Sequence, residues 1–171
     1  HDTLIVQDGL TGVKTVVSWD NFTLPKGVHN LDVRGAQNFA VGNDLDNLIL
    51  VTDDNAQWVY GGRGNDVLVG GNGRENYLVK AGEGSDVIYG WQPGHEVRLL
   101  GTSFQTFDQI RAAMRQEGAD VVLQIGAGET LTFRDEKIAD FQADDFLLPL
   151  DRSKLGGLTF GDEFNSLNLY D

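Results

Sequence analysis

Apolar and polar residues alternate over short distances through the first half of the chain. The segments "TLIVQ", "KTVVSW", "HNLDVRG", "NLILV", "QWVY", "DVLVGG" and "DVIYG" follow one another from Thr3 to about Trp91, separated by Gly, Asn and Asp. Short strands at regular spacing, bounded by turn residues, predict an all-β fold. The pattern also has a period of nine. "GGRGNDVLV" (Gly61–Val69) runs into "GGNGRENYL" (Gly70–Leu78), and "AGEGSDVIY" (Ala81–Tyr89) follows after a two-residue slip. Upstream, "TDDNAQWVY" (Thr52–Tyr60) and "GNDLDNLIL" (Gly42–Leu50) keep the period with fewer glycines. Position eight of these units reads Ile49, Val59, Leu68, Tyr77 and Ile88. One large apolar residue per unit is what an inward-facing strand position must supply. A fixed short period predicts a solenoid in which each coil covers its neighbour.

The pattern changes at "GWQPGHE". "TFDQIRAAMRQEG" predicts one helix over about 106–117, with Thr106 as N-cap, Gln109 completing a capping box, and Gly118 as the stop. Phe107, Ile110 and Met114 share one of its faces. "ADVVLQIGAGETLTFRD" predicts a hairpin over about 120–134, with Val121, Leu123, Ile125, Leu131 and Phe133 on the buried side. "KIADFQADDFLL" supplies a further apolar anchor. The expected organisation is therefore a parallel β-roll over 1–91, a helix-plus-hairpin cap over 92–148, and a linker from 149 to 171. A cap protects the last open edge of a coil.

The repeated turn carries the chemistry. In G-G-x-G-x-D-x-U-x the glycines permit backbone angles that turn several carbonyl oxygens toward one spot, and the acid at position six adds a carboxylate. Calcium takes six to eight hard oxygen ligands in flexible geometry, whereas magnesium demands a tighter octahedron. Softer metals favour His or Cys, and this stretch offers neither.

At these residues the sequence resembles the RTX (repeats-in-toxin) calcium-binding β-rolls of secreted bacterial proteins. "GGRGNDVLV" matches the whole motif, "GGNGRENYL" puts Glu75 where Asp is usual, and "AGEGSDVIY" departs only at its first glycine. The lead-in from "FTLPKGVHNLDVRG" and the segment "GADVVLQIGAGETLTFRD" resemble the flanks of such regions. The resemblance implies that successive units alternate between two sides of a flattened coil, with calcium between turns two units apart. The implied site joins turn 61–66 to turn 81–86 through Asp66 and Asp86, with backbone oxygens near Gly61, Arg63, Ala81 and Glu83. A second would join turn 42–47 to 61–66 through Asn47, Asp66 and Asp44. On the opposite side, turns 52–57 and 70–75 keep Asp53, Asp54 and Glu75. About one to three calcium ions are expected.

The last residues, "LTFGDEFNSLNLYD", resemble the opening strand of a family 16 glycoside hydrolase domain. That resemblance implies a chain cut where a covalently linked catalytic domain begins. The acidic signature of that family, E-x-D-x-E, does not occur in these residues. "HEVRL" lacks the second His of a zinc-protease helix, and His95 reads as a loop residue. The expectation is a non-catalytic accessory module.

Composition narrows its partners. Asp+Glu number 26 against Lys+Arg 13, a formal net charge of -13, which argues against nucleic acid and anionic membranes. Cysteine is absent, and no apolar run approaches the ~18 residues of a membrane span. A monomer secreted by a bacterium is expected. One role is carbohydrate binding that targets an attached hydrolase to a polysaccharide. Trp58, Tyr60, Tyr89 and Trp91 flank inward positions and could present rings to sugars, or they could pack beneath the N-terminal segment or the cap. The alternatives are a calcium-triggered folding and type I export device, or a structural spacer.

Overall fold

The computed structural model describes residues 4–7, 12, 14–35, 39–52 and 57–148. The chain enters through β1 (Leu4–Gln7), which pairs antiparallel with β2 (Lys14–Ser18). From β2 onward it winds as a coil. β3 (Phe22–Thr23), β4 (Asn30–Val33), β5 (Phe39–Val41), β6 (Leu48–Val51) and β7 (Gln57–Tyr60) lead into β8 (Val67–Val69), β9 (Glu75–Lys80), β10 (Asp86–Tyr89) and β11 (Glu96–Leu100). Even-numbered strands stack in parallel as one sheet, in the order β2-β4-β6-β8-β10, and odd-numbered strands stack as the other, β11-β9-β7-β5-β3. The fold is a parallel β-solenoid, mostly β, as the nine-residue period predicts.

The register explains why the period must be kept. Leu48 lies opposite Val67 and Val67 opposite Val87, so equal positions of alternate units stack directly. Position eight points inward at every coil, and Ile49, Val59, Leu68, Tyr77 and Ile88 are fully buried between the sheets. Burying such side chains contributes about 1.5–3 kcal/mol each. Each coil also saturates the backbone donors and acceptors of its neighbours, which a single unit cannot do alone.

The coil runs past Trp91, where the sequence pattern suggested its end. "GWQPGHEVR" is one more unit in register: Val97 at position eight is buried, and β11 pairs parallel with β9. Its turn has lost its glycine pair and its acid, which hides the period by eye.

α1 (Phe107–Ala113) opens on Thr106, whose side chain accepts from the Gln109 backbone N–H while the Gln109 side chain returns to the Thr106 N–H. It is shorter than the expected 106–117. From Met114 the chain is β12 (Met114–Glu117), paired antiparallel with β13 (Asp120–Gly126). Gly118 therefore sits in a strand-to-strand turn at φ 67 and does not stop the helix. β13 turns back into β14 (Glu129–Phe133), and β14 adds to β10 in parallel. Val121, Leu123, Ile125, Leu131 and Phe133 are all buried. Phe141 and Phe146, flanking the 3-10 turn Ala143–Asp145, pack with Phe133 and cover the open end of the core. The expected linker and start of a catalytic domain, 149–171, lie outside the described residues.

Candidate metal centre

Because units alternate between sheets, their turns fall into two columns, one on each edge of the coil. Position six of the first column holds Asn47, Asp66 and Asp86; that of the second holds Gln57, Glu75 and His95. All six are buried. A strand-initiating position in a tight stack has no room to turn its side chain outward, so six polar groups are sealed inside the edges.

Glycines make this possible. A Cβ at Gly61 would collide with the Asp66 carboxylate. One at Gly84, which stands at φ 131, would collide with the Gly64 carbonyl of the neighbouring turn. No other residue type fits either position.

Asp66 and Asp86 are brought together. The Asp66 backbone N–H donates to Asp86 Oδ1 at 3.0 Å, and the Asn47 N–H donates to Asp66 Oδ1 at 2.7 Å. A second ladder runs beside it at position five, in the reverse direction: Asn65 N–H donates to Asp46 Oδ1 at 2.7 Å and Ser85 N–H to Asn65 Oδ1 at 2.9 Å. The sequence reading missed this ladder, although a short polar residue at position five in 42–50, 61–69 and 81–89 is its signal.

The remaining oxygen of Asp66 is the decisive atom. Asp66 Oδ2 is buried and has no hydrogen-bond partner. Burial pushes the Asp66 carboxyl up to about 7, against the Asn47 hydrogen bond, with Asp86, Asp46 and Glu83 adding to the rise. Burial likewise raises Asp86 to about 6, with Glu83 and Glu129 contributing. Two adjacent buried carboxylates without a compensating positive charge are costly. A hard cation with a taste for oxygen relieves that cost, and calcium fits this donor set. Among the described residues no three His, Asp or Glu side chains converge, so backbone oxygens must make up most of a calcium shell.

The other expected ligands are placed as follows. Gly61 is buried with its carbonyl beside Gly42. Arg63 is exposed and its N–H donates to Asn43 O at 3.0 Å. Glu83 offers its carbonyl to Gly64 N–H at 2.8 Å, while its side chain accepts from Lys80 at 2.7 Å and from the Tyr60 hydroxyl at 2.5 Å. Burial alone would push the Glu83 carboxyl up, but these two donors outweigh it and hold it below its ordinary value. Ala81 faces the end of β11 through a 2.9 Å bond to Leu100 O.

Three other expected ligands have different surroundings. Asn47 Oδ1 is already taken by the Asn43 N–H at 2.7 Å, and its amide donates to His29 O at 3.1 Å. Asp44 is exposed, outside the column. Glu75 is turned onto His95, whose Nε2 lies 2.5 Å away. His95 lies in the turn that leads into β11, as expected of a loop residue, but it is fully buried, with Trp91 and Tyr77 packed against its ring. Asp53 and Asp54 lie outside the described residues.

The aromatics divide. Trp91 is buried against Phe133 and Phe141 and cannot meet a sugar. Trp58 is half-buried with the Arg98 guanidinium 5.5 Å above its ring, Tyr60 is held by Glu83, and Tyr89 is exposed beneath Arg134. Phe39, which the sequence reading passed over, stands opposite Trp58 in register and is the more exposed of the two.

Residues 51–75 and 78–92 match the RTX calcium-binding nonapeptide repeat, in four copies. The chain carries RTX repeats. Two curated proteins of Rhizobium meliloti (strain 1021) are similar to it along nearly its whole length. The endo-1,3-1,4-beta-glycanase ExsH is 42% identical over 92% of the chain, and the endo-1,3-1,4-beta-glycanase EglC is 41% identical over 94% of it. The chain spans 34% of the length of each. Among solved structures, the extracellular lipase LipA from Serratia marcescens superposes with a TM-score of 0.59 at 19% identity, covering 85% of this chain and 26% of that one. That likeness shows the RTX chain's fold alone. The expectation of a non-catalytic module is overturned by the two glycanases, whose names point to an enzyme.

Proposed function

We propose that this chain is the calcium-locked β-roll of a secreted bacterial enzyme that hydrolyses a polysaccharide. The observation that carries the calcium part is the buried, unpartnered Asp66 Oδ2 beside Asp86. Calcium between turns 61–66 and 81–86 would neutralise both carboxylates and tie successive coils together. The hydrolase part follows from the glycanase relatives, and a polysaccharide is the substrate class their names give.

Calcium titration of the chelated protein tests the first part. Heat of binding, a gain in β-sheet circular dichroism and a rise in melting temperature are expected together. An unchanged spectrum and melting temperature after exhaustive chelation would refute it.

A finer reading concerns the outer face of the odd-numbered sheet. Phe39 and Trp58 stand side by side there, and adjacent rings suit stacking on sugar faces. We read this pair as a polysaccharide contact that holds the enzyme on its substrate. Affinity electrophoresis through a mixed-linkage β-glucan gel, with wild type against Trp58→Ala, tests it. Equal migration with and without glycan would leave calcium-triggered folding and export as the better account of the roll.

A further inference from the structure

The second column of turns lacks the acid pair of the first, and it has been filled in another way. Glu75, at position six of turn 70–75, is fully buried, as is His95, at position six of turn 90–95. His95 Nε2 lies 2.5 Å from Glu75 Oε2 and 3.1 Å from the Gly73 carbonyl. The Gln92 backbone N–H donates to His95 Nδ1 at 3.3 Å, which leaves Nε2 as the proton-bearing nitrogen. The Gln92 side chain donates to the Gly71 carbonyl at 3.1 Å. One coil back, Gln57 Nε2 donates to Gly35 O at 3.0 Å.

We propose that His95 occupies the place of a calcium ion on this edge, so that calcium binds along the Asp66 edge alone. An ion between turns 70–75 and 90–95 would draw on the Glu75 carboxylate and on the carbonyls of Gly71 and Gly73. The two carbonyls each accept a side-chain N–H from the next turn, and the His95 ring stands against the Glu75 carboxylate. Neither Glu75 oxygen has a hydrogen-bond donor, and two oxygens fall far short of the six to eight that calcium requires. The space is closed as well. The His95 ring meets Trp91 edge-on at 5.5 Å and Tyr77 at 5.9 Å, and a Cβ at Gly70 would run into the Tyr77 hydroxyl. The same nine-residue turn thus serves two chemistries: a metal on one edge, and a side-chain donor on the other. This inference rests on the calcium reading of the Asp66 edge.

Calcium stoichiometry by isothermal titration separates the two. Glu75→Gln keeps the shape and removes the charge that an ion here would need, so it is expected to bind as many ions per chain as wild type; one ion fewer would overturn the proposal. His95→Asp restores an acid at position six and is expected to bind one ion more, while an unchanged count in a variant with wild-type circular dichroism would overturn it. Should His95→Asp not fold, the Nε2–H resonance of His95 in the wild type decides the matter. It is expected to stay protected from solvent exchange and unmoved in saturating calcium, and its loss on calcium addition would overturn the proposal. A folded wild type that binds no calcium defeats the reading of the Asp66 edge itself, and this one with it.

Discussion

The Asp66 amide donates to the Asp86 carboxylate, 3.0 Å away across one coil of the roll. The bond aligns two acids that repel one another, and it satisfies one oxygen of Asp86 while leaving Asp66 Oδ2 bare. A cation bound at this edge would relieve the repulsion between the two buried acids.

Neutralising Asp66 should therefore have opposite effects with and without metal. Asp66→Asn is expected to stabilise the chelated protein by about 1–2 kcal/mol, since a buried charge is removed. It is also expected to abolish most of the calcium-induced rise in melting temperature. Thermal unfolding in chelator and in excess calcium checks both halves.

The pH dependence follows from the direction of the two shifts. Asp66 and Asp86 have folded-state values raised to about 7 and about 6, above their unfolded values. The folded, metal-free protein thus holds protons more tightly than the unfolded chain. Its stability is greatest below about pH 4 as far as these groups are concerned, and it falls as pH rises through about 6 to 7. Calcium reverses the trend, because it binds the deprotonated acids and protons compete with it. Calcium affinity should drop as pH is lowered from about 8 to about 5, which titration at several pH values would show.

Gly84→Ala is expected to destabilise the roll by roughly 1–3 kcal/mol from its backbone angle alone, with the collision against Gly64 O adding to that. Gly82→Ala makes the useful comparison. Its φ of 92 is strained as well, yet a Cβ there meets nothing. Chemical denaturation of the two variants in calcium should rank Gly84→Ala as the more damaging.

At the cap, Thr106→Ala removes one half of the reciprocal bonding that starts α1. A loss of about 1 kcal/mol is expected, with calcium binding unaffected because α1 packs chiefly on β13 of the cap. Denaturation midpoints and calcium titration of the variant check this pair of outcomes.

How much of this was legible beforehand depends on the residue. Position eight could be read directly, because a buried strand residue must be large and apolar wherever it recurs. The Asp66–Asp86 pairing followed from the period once alternation was granted. His95 could not be found that way, since the unit around it has exchanged its acid for a base and its glycine pair for Gly-Trp. Nor could the fate of Asn47, a plausible ligand by spacing whose amide is consumed by carbonyls of the preceding coil. Glu75 illustrates the same limit: its partner sits twenty positions on, and only stacking brings them together. Trp91 looked like its neighbour Tyr89, yet the cap's phenylalanines close over one and leave the other in solvent.

The alternation of turns between two edges gives the chain a parity. Adding or deleting a single nonapeptide would carry every later corner to the opposite side, setting acids meant for metal against donors meant for carbonyls. Two nonapeptides gained or lost together would leave both columns in order. Lengthening of such a roll should thus proceed by whole coils, eighteen residues or so at a time, and the odd slips at Val51 and at Val79–Lys80 are tolerated only because they fall outside the corners.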